Sequence, residues 1–232
     1  MYLETLFGHQ DSIPMIAPFS SERCASVGAR DRSARVWKIV DETQLVFQIP
    51  NDQKLKVEGS FPEGSMDCVT IVDEQHFITG GDNGDIILWA LNKKRPQFIH
   101  RLAHGVEPPL LPEKNSAEKY PQAVEIPPQP RWITCLSSLT GTDLFFSGSW
   151  EGKLGMWKIS EDLRKFELLK YVDIGIRGVI NGISVEEVGK PDNGVRVVLG
   201  IGTECRLGRW KKVKGGRNCA LILKFGFPRA DE

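Results

Sequence analysis

The 232-residue chain has no excess of either charge. Its 30 Lys and Arg balance 30 Asp and Glu, so bulk electrostatics give it no pull toward nucleic acid or an anionic surface. Any such preference must come from local clusters. No apolar run approaches the roughly 18 residues of a helical membrane span, the first residues carry no signal-peptide pattern, and no membrane partner is expected. Cysteine is sparse: Cys24, Cys68, Cys135, Cys205 and Cys219 are odd in number and widely spaced, with no Cys-x-x-Cys pair. That pattern argues for reduced core residues over a disulfide framework or a zinc site. The catalytic signatures are missing too. There is no Gly-x-Ser-x-Gly elbow, no phosphate-binding Gly-x-x-x-x-Gly-Lys-Ser/Thr loop and no His-Glu-x-x-His pair. The histidines, His9, His76, His100 and His104, are scattered without clustered acid or thiol partners. No metal, cofactor or enzymatic activity is expected.

What is present is repetition. Trp37, Trp89, Trp157 and Trp210 each close a similar phrase: GARDRSARVW, GGDNGDIILW, GSWEGKLGMW and GIGTECRLGRW. Six residues before each Trp stands a turn former or acid (Asp31, Asn83, Glu151, Glu204), and three before it an apolar residue (Ala34, Ile86, Leu154, Leu207). Short β-rich runs precede each Gly-rich turn: RCASV, HFIT, DLFFS and VRVVL, too brief for helices. A further set lies upstream in SIPMIAPF, MDCVTIV, WITCLSSL and INGISVEEV. Each Trp therefore ends a third strand, and LVFQIP, PQFIHRL, FELLKYV and NCALILKF supply candidate fourth strands. Four-stranded antiparallel units recurring along a chain are the signature of a β-propeller. The expected fold class is all-β, a partial WD40-type propeller of four blades at about 1–50, 51–104, 131–173 and 174–228.

Successive tryptophans lie 52, 68 and 53 positions apart, against roughly 40–45 for a WD-type blade. The middle gap holds an insertion, 105–130, with half of the chain's prolines, which favour extended loop over sheet. It reads as a surface loop between the second and third blades.

Three basic clusters stand out: Arg30, Arg32 and Arg35; Lys93, Lys94 and Arg95; and Arg206, Arg209, Lys211, Lys212, Lys214 and Arg217. Strand direction sorts them onto two rims. Turns between second and third strands gather Arg30, Arg32, Lys153 and Arg206; turns after the Trp gather Lys38, Lys93, Lys94, Arg95, Lys211, Lys212 and Lys214. Either rim could track a phosphate backbone, and spacing alone does not choose.

His9, after Gly8, together with Asp31 and Trp37 resembles the WD-repeat pattern in which His and Asp hydrogen-bond across a blade. The other three units lack the Gly-His pair and keep the acid only in part. The likeness then narrows. LETLFGHQDS, GARDRSARVWKI, GSMDCVTIVDEQHFITGGDNGDIILWALNKKRP with its following AHG, WITCLSSLTGTDLFFSGSW, INGISVEEV and RLGRWKKVKGGRN, in that order, resemble the WD-repeat proteins associated with the U3 small nucleolar RNA. NKKRP after a repeat Trp and RLGRW in the last unit are not general WD features.

That resemblance implies a non-catalytic nucleolar ribonucleoprotein subunit. It would bind the box B/C region of U3 small nucleolar RNA, beside box C/D core proteins and other small-subunit processome proteins, and support precursor ribosomal RNA processing. The residues it nominates for RNA are Arg30 and Arg32, Lys93, Lys94 and Arg95, and Arg206 and Arg209, with Lys211 and Lys212 adjoining. The resemblance starts at the family's fourth blade, so a truncated product, or closure with another chain, is expected. Two readings stand beside it. One is a protein-interaction scaffold docking partners through 105–130. The other is a propeller enzyme, for which the inner-strand candidates Ser12, Asp67, Thr134 and Asn181 offer a single carboxylate.

Overall fold

The computed structural model describes residues 5–19, 22–49, 61–62, 64–109, 128–189 and 194–226. The expected blade boundary near residue 50 and most of the Pro-rich insertion (110–127) lie outside them.

Four antiparallel sheets follow one another along the chain. The first runs β1 (Met15–Pro18), β2 (Arg23–Val27), β3 (Ala34–Lys38) and β4 (Thr43–Phe47). The second runs β5 (Met66–Ile71), β6 (His76–Gly81), β7 (Ile86–Ala90) and β8 (Phe98–His100). A two-stranded ribbon then forms from β9 (Val106–Glu107) and β10 (Gln129–Pro130), so the two ends of the insertion pair with each other. The third sheet is β11 (Cys135–Ser138), β12 (Leu144–Gly148), β13 (Lys153–Ile159) and β14 (Phe166–Asp173). The architecture is thus the expected all-β succession of antiparallel units.

The fourth unit departs in detail. After β15 (Val179–Val188) and β16 (Gly194–Gly202) come β17 (Glu204–Cys205) and β18 (Gly208–Lys212), which pair only with each other. The strand beside β16 is β19 (Cys219–Gly226), giving a three-stranded order β15-β16-β19. The expectation that Trp210 ends a third strand, with NCALILKF as the fourth, is therefore corrected. Trp210 lies on the inserted ribbon, and NCALILKF supplies the third strand. Alternation is the reason: Leu221, Leu223 and Phe225 share one face of β19 and join Val195, Val197, Leu199 and Ile201 against the third sheet. RLGRWKK offers no such period-2 row.

The sheets stack face to face, with inner strands β1, β5, β11 and β15 as successive neighbours. Each gap between them holds a core. Between the first two sheets Phe47 meets Phe77 edge-on at 5.0 Å. Between the second and third, Phe166 meets Phe98 at 5.0 Å and Phe145 at 5.1 Å. Phe146, Leu154, Val197 and Leu199 fill the last gap. Within the second and third sheets a cross-strand Phe stacks on the Trp: Phe77 on Trp89 and Phe145 on Trp157 at 6.1 and 5.9 Å. Such pairs add about 0.5–1.5 kcal/mol beyond area burial.

Close approach of neighbouring sheets is bought with glycine. A Cβ on Gly80 would lie 2.6 Å from Ile133 Cγ2, and one on Gly148 2.6 Å from Cys135 Sγ and 2.8 Å from Ile180 Cβ. The space is used for thiols. Cys68 Sγ donates to Ile133 O and Cys135 Sγ to Ile180 O, each from one inner strand to the next unit. Burial pushes the Cys135 thiol up to about 12 and the Cys68 thiol well above its ordinary value. Both are reduced core residues, as their spacing suggested.

Backbone also joins the units. Met66 N donates to Ala29 O, Ile133 N to Gly81 O and Ile180 N to Ser149 O, at 2.9, 3.0 and 2.9 Å. All three bonds lie on one rim, here called the upper rim, where second strands hand over to third.

Candidate nucleic-acid interface

On the upper rim each unit closes with a polar turn, and two of these turns carry the same four-residue network. In the first unit His9 Nδ1 meets Asp31 Oδ2 at 2.6 Å, His9 Nε2 meets Ser26 Oγ at 2.7 Å, and Trp37 Nε1 donates to that Ser26 Oγ at 2.7 Å. In the third, His104 Nδ1 meets Glu151 Oε1 at 2.6 Å, His104 Nε2 meets Ser147 Oγ at 2.8 Å, and Trp157 Nε1 donates to Ser147 Oγ at 2.8 Å. The second network was missed in the sequence, where only the first unit was credited with one. A signal existed. Removing the 26 residues of 105–130 from the 47 between His104 and Glu151 leaves 21, against 22 between His9 and Asp31.

In the turn network of the second unit no His takes part, and a buried acid stands in its place. Trp89 Nε1 donates to Thr79 Oγ1 at 2.8 Å, while Asp85 accepts from Asn83 Nδ2, Leu102 N and the Arg101 guanidinium. Burial raises the Asp85 carboxyl above its ordinary value, opposed by Arg101. Burial also works to raise Asp31, but bonds from His9, Ser33 and Gln10 prevail and hold it below the usual carboxylate range. These groups fix turn geometry, and with it the direction in which neighbouring cations project.

The turns share one backbone requirement. The residue after the acid or Asn in each has positive φ: Arg32 at 56°, Gly84 at 77° and Gly152 at 79°. Arg32 thus occupies a position that glycine holds in the other two, at some conformational cost.

The nominated cations divide as follows. Arg30 and Arg32 are exposed on the first upper-rim turn, with no ion-pair partner among the described residues. Lys93, Lys94 and Arg95 are exposed on the opposite, lower rim, in the turn after β7. Arg206 is committed in part: its guanidinium donates to Pro14 O and Asp67 O, both at 3.1 Å, tying the last unit back to the first two. Arg209 and Trp210 lie on β18. Lys211 is committed more fully. Its Nζ sits 2.5–2.6 Å from both oxygens of Glu107, on the stem of the insertion, and 4.2 Å from the Trp150 ring centroid. Trp150 Nε1 donates to the same carboxylate at 3.1 Å. Lys212 is open to solvent and 3.9 Å from Glu204.

The sorting of rims is corrected as well. Because β17 and β18 are inserted between β16 and β19, the connection carrying Lys211, Lys212 and Lys214 leaves from the upper rim, not the one that bears Lys93. Arg30, Arg32, Arg206, Arg209, Lys211 and Lys212 therefore share one rim.

Three successive four-stranded antiparallel units, each tied by a Trp-to-hydroxyl bond and two of them by a His-acid pair, followed by a fourth antiparallel unit, define a WD-repeat β-propeller architecture. Comparison with known proteins narrows this. No protein-family profile matches the chain. It is 48% identical over 97% of its length to a WD repeat-containing protein of Schizosaccharomyces pombe, covering 43% of that protein. To ribosomal RNA-processing protein 9 of Saccharomyces cerevisiae it is 41% identical over 97% of its length, covering 45% of that protein. The solved structure of U3-55K superposes with a TM-score of 0.75 at 35% identity, over 97% of this chain and 58% of that one. The chain belongs to this family of WD-repeat proteins, and spans less than half the length of the curated relatives it matches.

Proposed function

We propose that the chain is a non-catalytic, RNA-contacting part of a U3 small nucleolar ribonucleoprotein, acting in precursor ribosomal RNA processing in the nucleolus. The observation that carries this reading is the 41% identity to ribosomal RNA-processing protein 9 along 97% of the chain. The geometry supports it through the exposed Arg30 and Arg32, with Lys212 on the ribbon of the same rim. Fixed, exposed cations on one rim suit a phosphate backbone, because each contact releases a condensed counterion. The RNA is the box B/C region of U3 small nucleolar RNA, with box C/D core proteins and small-subunit processome proteins as neighbours in the particle.

The test is immunoprecipitation of the tagged chain from cell extract over a salt series, with sequencing of retained RNA. Enrichment of U3 RNA that falls steeply with salt is the expected result; a salt-insensitive protein partner without RNA would favour the scaffold reading instead. Binding of the box B/C fragment then assigns the rim. Arg30→Ala with Arg32→Ala should weaken affinity and lower the salt slope by about two. The same change on Lys93→Ala with Lys94→Ala, and none on the arginines, would move the interface to the lower rim.

A further inference from the structure

A cavity of about 460 Å³ opens at the upper rim where all four units converge. Its walls are mixed in a particular way. Three carboxylates, Asp11, Asp67 and Asp82, line it against one guanidinium, Arg30, and Trp132 and Leu207 supply apolar surface. We infer that this mouth receives a basic side chain, arginine or lysine, presented by a protein partner.

Asp67 carries the argument. Its residue is 4% exposed, yet it lines the cavity. One carboxylate oxygen accepts from Ser65 Oγ at 2.8 Å, and the other has no hydrogen-bond donor among the described residues. Arg206 reaches the same residue, but its hydrogen bonds there go to backbone carbonyls, those of Pro14 and Asp67, and it acts on the carboxylate through charge alone. Burial, with Asp82 nearby, pushes the Asp67 carboxyl up to about 6. A desolvated carboxylate short of a donor is stabilised by a cation that brings N–H groups with it. The apolar part of the wall suits what surrounds such a charge, since Trp132 and Leu207 border the space with aromatic and aliphatic surface.

Phosphate fits poorly in the same space, since it would meet three carboxylates while Arg206 is already engaged. RNA on the outer upper rim and a protein side chain in the mouth are therefore compatible, and the second does not depend on the first.

The full chain is titrated with the peptide acetyl-Gly-Arg-Gly-amide while the Trp132 indole resonance is followed by NMR, assigned through Trp132→Phe. A saturable shift is expected, absent with the citrulline counterpart and weakened by about tenfold or more in Asp67→Asn, as for loss of a charge-assisted bond. The Trp89 and Trp157 resonances report that the variant stays folded. No shift, an equal shift with citrulline, or a shift produced by inorganic phosphate or a short oligonucleotide in place of the peptide would overturn the inference.

Discussion

His104 shows how much one side chain can hold in place. It is buried and spans a hydroxyl that also serves Trp157 and an acid that also faces Arg131, 3.4 Å away. His104→Ala leaves Glu151 with Arg131 alone, takes a partner from Ser147 and opens a cavity, and should cost about 2–4 kcal/mol in urea unfolding. His9→Ala should cost a similar amount in the first unit. Asp67 works in the opposite sense. Its carboxyl is raised to about 6 in the fold, so the folded state holds its proton where the unfolded chain has released it. The facing groups are Ser65, Asp82 and Arg206, with Asp11 and Arg30 across the cavity, while the Cys68 and Cys205 thiols sense its charge. Stability from this residue is present at low pH and is lost as pH rises through about 6. Asp67→Asn should therefore raise the melting temperature at neutral pH and leave it nearly unchanged near pH 4, in line with up to about 3 kcal/mol for a two-unit shift. Equal gains at both values would show that the charge is not the cause.

At the scale of elements, the upper-rim turns allow folding to be separated from the proposed RNA contact. Arg32 sits at a φ of 56° where two sister turns have glycine, so Arg32→Gly should gain about 1 kcal/mol of stability in denaturant unfolding while weakening RNA. The insertion stem and the β17–β18 ribbon lock through Glu107, Lys211 and Trp150. Glu107→Gln removes the ion pair, and hydrogen exchange should quicken at β9 and β18 together, leaving β16 and β19 protected. Strands were the most legible part of the sequence. RCASV is β2 residue for residue, and the inner and second strands of every unit fall on the runs that alternation and β-branched content marked. The ribbon was not legible, because RLGRW imitates the close of a blade. Only the pairing of β19 with β16, a contact the local pattern cannot encode, reveals that the true third strand comes later. The commitments of Arg206 and Lys211 were hidden for the same reason: their partners Asp67 and Glu107 are 139 and 104 residues away.

For the whole molecule, the units cohere through tight sheet-to-sheet contact more than through loops. Gly148→Ala would drive a methyl into Cys135 and Ile180 between the third and fourth sheets. The expected cost is about 1–3 kcal/mol, and it should fall selectively on β15, β16 and β19 in exchange measurements. A uniform loss across all four sheets would mean that the stack unfolds as one body.

Among the described residues, the hydrogen bonds that pass from the backbone of one unit to the backbone of the next, at Met66, Ile133 and Ile180, sit on the upper rim, while cross-unit ties toward the other rim, such as Arg23 with Glu74 or Gln97 with Leu163, use side chains. A peptide bond is common to all residues, so the joints on the upper rim survive substitution of whatever side chain stands above them. Selection can therefore rewrite exposed upper-rim positions such as Arg30 without touching these three joints, whereas at Arg23 or Gln97 on the other rim the freedom to change a side chain and the integrity of a joint are the same quantity.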